Sequence, residues 1–217
     1  AHFLQADRIT SAGRSYPVTI SHFPVKRDEA LTFQIKRCIE EALQKHEGDL
    51  LVFLPGQKEI RQLEKVLTQA NIASDAITLI TLFGEMPIEK QSEALAPDKN
   101  GKRRIVLATN IAESSVTLPG VRVVIDSGLS REPRFDPNSG FSRLETVTIS
   151  QASADQRAGR AGRVAEGWCY RCWPASQRLE PMRSSEITQT ELSSLCLELA
   201  AWGSTALRFV EAPPAGA

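Results

Sequence analysis

Between residues 16 and 128 the sequence alternates short apolar stretches with amphipathic ones, and this constrains the fold more than any other feature. "YPVTISHF" (16–23) alternates like a strand, and "DEALTFQIKRCIEEALQK" (28–45) repeats apolar residues at helical spacing. "DLLVFLP" (49–55) reads as a buried strand stopped by Pro55 and Gly56, and "QKEIRQLEKVLTQA" (57–70) places Ile60, Leu63 and Leu67 on one helical face. The pattern continues through "AITLITLF" (76–83), the helix "PIEKQSEALA" (87–96) and the strands "RRIVLATN" (103–110) and "VRVVIDSG" (121–128). Short, uniformly apolar strands separated by helices predict an α/β fold with a mostly parallel sheet covered by helices on both faces. Such sheets bind ligands beyond the carboxyl ends of their strands. The segments of interest are therefore "PGQ" (55–57), "GEM" (84–86), "TNIAESS" (109–115) and "DSG" (126–128).

Residues 129–150 break the alternation. "DPNSG" lies between two alternating segments, which predicts an antiparallel hairpin standing out from the sheet. "CYRCW" (169–173) alternates like a further strand, so Cys169 and Cys172 are expected to be buried, reduced thiols. The three histidines, His2, His22 and His46, all lie in the first quarter of the chain, away from that pair, and neither a metal site nor a disulfide is expected. "TELSSLCLELAAW" (190–202) predicts a C-terminal helix beyond a rise in polarity near residue 178.

Lys+Arg and Asp+Glu both number 26, so no global positive field drives sequence-blind binding to nucleic acid, and any anion site must be local. The longest apolar run, "LLVFLP", is far too short to span a bilayer. The opening "AHFLQADRIT" lacks the form of a signal peptide, so a cytoplasmic protein with no membrane partner is expected.

Against this balanced background "QRAGRAGR" (156–163) concentrates three arginines and two glycines. Successive helical residues turn by about 100°. With Gln156 at zero, Arg160 falls near about 40° and Arg163 near about −20°, while Arg157 falls near about 100°. An amide and two guanidinium groups on one face can hold a water and clamp a multiply charged phosphate, with Arg157 left to a structural role. Gly159 and Gly162 each cost a helix about 1 kcal/mol relative to Ala, which implies a close approach to this backbone.

These residues carry a resemblance. "LATNIAESSVTLPGV" (107–121), "VVIDSG" (123–128) and "QRAGRAGR" resemble motifs V, Va and VI of the DEAH-box (DEAH/RHA) superfamily 2 RNA helicases, and "LLVFLPGQKEI" (50–60) resembles their motif IV. "RFDPNSGFSRLETVTISQASADQRAGRAGR" with "LELAAWG" is similar to the bacterial HrpB-type branch. The similarity spans nearly the whole chain as the second RecA-like domain. It implies a RecA-like domain over residues 1–177, and a linker with the start of a truncated helical, winged-helix-type domain over 178–217. It further implies the C-terminal motor domain of an ATP-dependent RNA helicase, with ATP bound between this domain and the first RecA-like domain of the same chain, and single-stranded RNA as the other partner. The alternative is a non-catalytic RecA-like module that binds RNA or protein.

By resemblance, Gln156 positions the attacking water, Arg160 and Arg163 reach the phosphates, and Arg163 is the arginine finger. Thr109, with Asn110 beside it, touches an RNA phosphate. Ser115 matches a serine that senses nucleotide state, Thr117 lies toward the ribose, and Gly128 lies on the nucleotide side. Gly84 and the turn at Pro55 and Gly56 add backbone contacts to RNA phosphates, which carry no sequence information. Leu95 stands where many relatives stack an aromatic ring on the base, which implies loose nucleotide preference. The chain has no GxGKT phosphate loop and no DEAH box. Tight ATP binding and most of the Mg²⁺ coordination are thus expected from the missing first domain, and this fragment is expected to be inactive alone.

Overall fold

In a computed structural model, residues 7, 16–26, 28–114, 118–136, 139–189 and 191–203 are described. The chain divides into two compact units, Arg14–Arg131 with Thr146–Met182, and a second that contains Glu132–Glu145 and the segment from Arg183 onward.

The first unit is built on a six-stranded sheet. Its strands are β1 (Val18–His22), β2 (Asp49–Phe53), β3 (Ile77–Leu82), β4 (Arg103–Ala108), β5 (Val121–Asp126) and β8 (Gly167–Arg171), in the order β1-β8-β5-β2-β4-β3. Every pairing is parallel. The helices are α1 (Leu31–Lys45), α2 (Gln57–Gln69), α3 (Ile88–Leu95), the single turn α4 (Ile111–Ser114) and α5 (Gln151–Gly159).

Successive strand side chains point to opposite faces, and the two cores follow this period of two. Leu50, Val52, Leu54, Ile105, Leu107, Val123 and Ile125 pack with Ile35 and Ile39 of α1 and Ile60, Leu63 and Leu67 of α2. The intervening Leu51, Phe53, Val106, Ala108, Val124 and Cys169 pack with Ala94 of α3, Ala112 of α4 and Ala158 of α5. The sheet is therefore covered on both faces, and the uniformly apolar β2, buried at all five positions, needs no polar face.

Strand β1 is an edge whose central three residues are exposed. It is tied to β8 by the register Val18↔Gly167 to His22↔Arg171. Buried Gln34 of α1 closes the far end by donating from Nε2 to the carbonyls of Phe23 (2.8 Å) and Cys172 (2.9 Å). Cys38, Cys169 and Cys172 are buried free thiols. Burial pushes the Cys169 thiol well above the ordinary thiol value, so it stays protonated and inert.

Strands β6 (Leu129–Asp136) and β7 (Phe141–Thr148) form their own two-stranded antiparallel sheet, as the "DPNSG" signal predicts. The N–H groups of Ser139 (3.2 Å) and Gly140 (2.9 Å) return to the carbonyl of Asp136. Within the second unit Phe135 N–H donates to the Gln189 carbonyl (3.1 Å), and Arg183 pairs with Glu132 (2.9 Å). The predicted C-terminal helix is α6 (Ser193–Trp202), which buries none of its side chains among the described residues. No helix of the described residues is long and apolar enough to cross a membrane.

Candidate phosphate and nucleic-acid site

An all-parallel sheet brings the carboxyl ends of its strands to one edge. Along β3, β4, β2 and β5 that edge presents Gly84, then Thr109 and Asn110, then Pro55 and Gly56, then Ser127 and Gly128. Gly84 is exposed, with open space where a side chain would stand. Thr109 is held at the edge by its N–H bond to the Leu82 carbonyl (3.1 Å), and Asn110 is exposed beside it. The carbonyls of Thr109 and Asn110 accept from Ala112 (3.2 Å) and Glu113 (2.9 Å), so these two residues open α4 rather than extend β4.

Pro55 and Gly56 are buried, as are Ser127 and Gly128, unlike Gly84 and Asn110. The Arg131 side chain covers the turn: a Cβ on Gly56 would come within 2.9 Å of Arg131 Nε and 3.1 Å of Glu59 Oε2. Arg131 and Glu59 pair loosely across it, at 3.7 Å. Gly128 adopts a left-handed φ of 74°, and a Cβ there would meet the Trp173 ring at 2.7 Å, so glycine is required on both counts. Its N–H donates to Asp126 Oδ1 (2.9 Å) and its carbonyl accepts from Ile149 (3.0 Å). Leu95 is half-buried and packs into the core beneath α3. Ser115 and Thr117 lie outside the described residues.

Helix α5 carries the arginine cluster. Ser150 caps it by accepting from the Ser153 N–H (3.2 Å). The helix stops at Gly159, and this corrects the uniform helical wheel drawn from "QRAGRAGR". The chain tightens instead into i→i+3 bonds, Arg160 to Arg157 (3.1 Å), Ala161 to Ala158 (3.0 Å) and Gly162 to Gly159 (3.3 Å). Arg160, the C-cap, keeps helical dihedrals; Arg163 lies beyond the helix and does not share a helical face with Gln156. Gln156, Gly159 and Arg163 are exposed, whereas Arg157 and Arg160 are buried.

The two glycines separate as well. Space is open at Gly159. At Gly162 a Cβ would lie 2.5 Å from the Tyr16 carbonyl oxygen and 2.8 Å from Val18 Cγ2. The close approach at Gly162 is thus made by the domain's own edge strand, whose Tyr16 N–H donates to the Gly162 carbonyl (2.9 Å), and not by an incoming partner.

Arg157 has the structural role its off-face angle suggested. Its Nε donates to Glu113 Oε2 (3.0 Å), and its Nη1 donates to Asp126 Oδ1 (2.9 Å) and the Leu129 carbonyl (3.2 Å). The guanidinium carbon sits 4.8 Å from the Phe53 ring centroid. Burial pushes the Asp126 carboxyl above the ordinary carboxylate value, while the Arg157 charge and the Gly128 N–H pull it back. Glu113 Oε1 accepts from Ser153 Oγ (2.5 Å), and the Glu113 carbonyl accepts from Arg160 Nη2. Burial, then the adjacent Arg163 charge, lower the Arg160 pKa from the ordinary guanidinium value. Arginine remains charged regardless.

Glu113 and Asp126 were not singled out as site residues from the sequence. The only available signal was that a polar loop after β4 must find hydrogen-bond partners.

The α5 segment thus carries a buried Arg160 with an exposed Gln156, Gly159 and Arg163, packed on one face of a parallel α/β sheet. The helicase conserved C-terminal domain family matches residues 34–165, and the chain belongs to that family, within the DEAH/RHA RNA helicases. It is 38% identical over 215 residues to the ATP-dependent RNA helicase HrpB of Escherichia coli, covering 97% of this chain and 26% of that protein. It is 35% identical over 225 residues to the pre-mRNA-splicing factor ATP-dependent RNA helicase DEAH10 of Arabidopsis thaliana, covering 100% of this chain and 31% of that protein. The crystal structure of the E. coli DEAH/RHA helicase HrpB superposes with a TM-score of 0.86 at 37% identity, over 93% of this chain and 26% of that one. The chain thus spans between a quarter and a third of these relatives' length, and the sheet with its helices is the RecA-like fold they share.

Proposed function

We propose that this chain is the second RecA-like motor domain of an ATP-dependent RNA helicase that works in the cytoplasm, with residues 1–177 forming that domain and 178–217 leading into the next. The carrying observation is the sorting of "QRAGRAGR": Gln156, Gly159 and Arg163 face outward around Arg160, which is buried and held by a main-chain carbonyl. Guanidinium and amide donors suit a polyphosphate by charge and geometry. When bound between this domain and the first RecA-like domain, ATP supplies the phosphoanhydride whose hydrolysis drives the motor.

Gln156 orients the attacking water, and Arg160 and Arg163 stabilise charge on the transferred phosphoryl, Arg163 as the arginine finger. Thr117, Ser115 and Gly128 form the nucleotide-facing side. The phosphate loop and the carboxylates that hold Mg²⁺ belong to the first domain, so this chain alone neither binds ATP tightly nor hydrolyses it. Gly84, Thr109, Asn110, Pro55 and Gly56 form the row along which single-stranded RNA is held through its phosphates, the last two once Arg131 moves aside.

The test is Arg163→Ala in the full-length protein. RNA-stimulated ATP hydrolysis should fall by about 10³- to 10⁵-fold with nucleotide binding retained. Unchanged turnover would remove the arginine-finger role.

A further inference from the structure

We infer that Glu113 is a positioning residue that sets Arg160 from the loop following β4, an inference that rests on the motor reading above. A four-residue helix such as α4 has no stability of its own and lies where its contacts hold it. Glu113 supplies three of those contacts, all to the α5 segment. Its carboxylate takes Ser153 Oγ (2.5 Å) and Arg157 Nε (3.0 Å), and its carbonyl takes Arg160 Nη2. Residues 153, 157 and 160 recur at i, i+4 and i+7, so they project along one side of α5 and its cap toward a single residue.

The geometry divides the work between the two acceptor groups of Glu113. Its carboxylate is spent on Arg157, which is fixed from the other side by Asp126 and the Leu129 carbonyl. Its carbonyl, a neutral acceptor, takes the Arg160 guanidinium. On the opposite side, the Glu113 N–H is bonded to the carbonyl of Asn110, at the RNA-facing edge (2.9 Å). One residue therefore joins Asn110, through a single turn, to a phosphate-directed arginine 47 residues further along the chain. A displacement at 109–110 is carried to Arg160 because the Arg157 anchor keeps α5 from following.

The experiment is steady-state ATP hydrolysis by full-length Glu113→Gln, with and without single-stranded RNA, beside Asp49→Asn. Asp49 is a second carboxylate paired with a buried arginine, at the opposite end of the strands. Glu113→Gln should lower the RNA-stimulated kcat about tenfold to a hundredfold, the scale of a small misplacement of a catalytic group, with KM for ATP changed less than about threefold. Asp49→Asn should lower Tm while the folded fraction keeps its kcat. Should Glu113→Gln fold poorly, Ser153→Ala, at a half-buried position, should give a smaller kcat loss at unchanged Tm.

Wild-type kcat in both Glu113→Gln and Ser153→Ala, or a loss that only tracks the folded fraction, would overturn the inference. If the wild-type protein shows no RNA stimulation, the motor reading fails instead. Amide exchange on the chain then decides the inference by itself. Glu113→Gln should speed exchange at 109–113 and 157–162 together, and faster exchange confined to 109–113 refutes the coupling.

Discussion

The same face of the sheet carries two buried arginine–carboxylate clusters, one at each end of the strands. At the amino ends, Arg104 donates its N–H (2.8 Å) and Nε (2.7 Å) to the two oxygens of Asp49, and its Nη1 and Nη2 to the carbonyls of Ala96 and Pro119. These bonds tie β2, β4, the end of α3 and the turn before β5 into a closed staple. At the carboxyl ends, Arg157 spans Asp126, Glu113 and Leu129, but Asp126 Oδ2 is buried with no hydrogen-bond partner among the described residues. Glu113 also passes the connection on to Arg160. Identical chemistry thus serves two purposes. Where both partners sit in regular elements the pair is a staple; where one sits in the single-turn helix α4, the pair also reaches Arg160, the side chain proposed above to face phosphate.

Removing either arginine tests the shared part of this comparison and carries the largest stability effect. Arg104→Met and Arg157→Met each strand buried carboxylate and should each cost about 3–5 kcal/mol, measured by denaturant unfolding. A loss below about 1 kcal/mol at Arg157 would mean that its carboxylates reach water and that the cluster is not a buried one.

The glycines sharpen the contrast at the arginine end. Gly162→Ala drives a Cβ into the Tyr16 carbonyl and should cost about 1–3 kcal/mol. Gly159→Ala fills open space at a helical position and should gain about 0.5–1 kcal/mol in the isolated chain. If the opposing domain closes against Gly159, the same substitution lowers ATP hydrolysis in the full-length protein. A stabilised variant with unchanged turnover would place the closing surface elsewhere.

The smallest effect belongs to a half-buried surface pair, which marks the lower limit of the comparison. Glu29 accepts from Arg37 Nε (3.1 Å) and Nη2 (2.8 Å) and from the Lys26 N–H (3.0 Å), which hold its carboxyl down at about 2 from an ordinary 4.5. A carboxylate depressed in the folded state stabilises above its unfolded pKa and loses that contribution as pH falls through its folded one. The Tm difference between wild type and Glu29→Gln should therefore be constant at neutral pH and shrink as pH falls from about 4.5 toward about 2. A difference that does not change over that interval would show that the pair contributes nothing.

The alternation of apolar strands and amphipathic helices determined the parallel sheet covered by helices on both faces, because periods of two and 3.6 are local properties that each segment carries with it. Of the candidate site, the sequence offered the strand-end segments and "QRAGRAGR" as the residues on which the phosphate reading proposed above rests. The division of labour among the three arginines was only half legible. The angle of Arg157 pointed to a structural role, but no wheel showed that the helix stops at Gly159 or that Arg163 lies beyond it. What makes Gly162 a glycine is a strand nearly 150 residues earlier in the chain, and the carboxylates that fix Arg157 come from 31 and 44 residues away. Close approaches and buried charge pairs join residues far apart in sequence, and only a folded backbone brings them within the few ångströms over which sterics and desolvated electrostatics act.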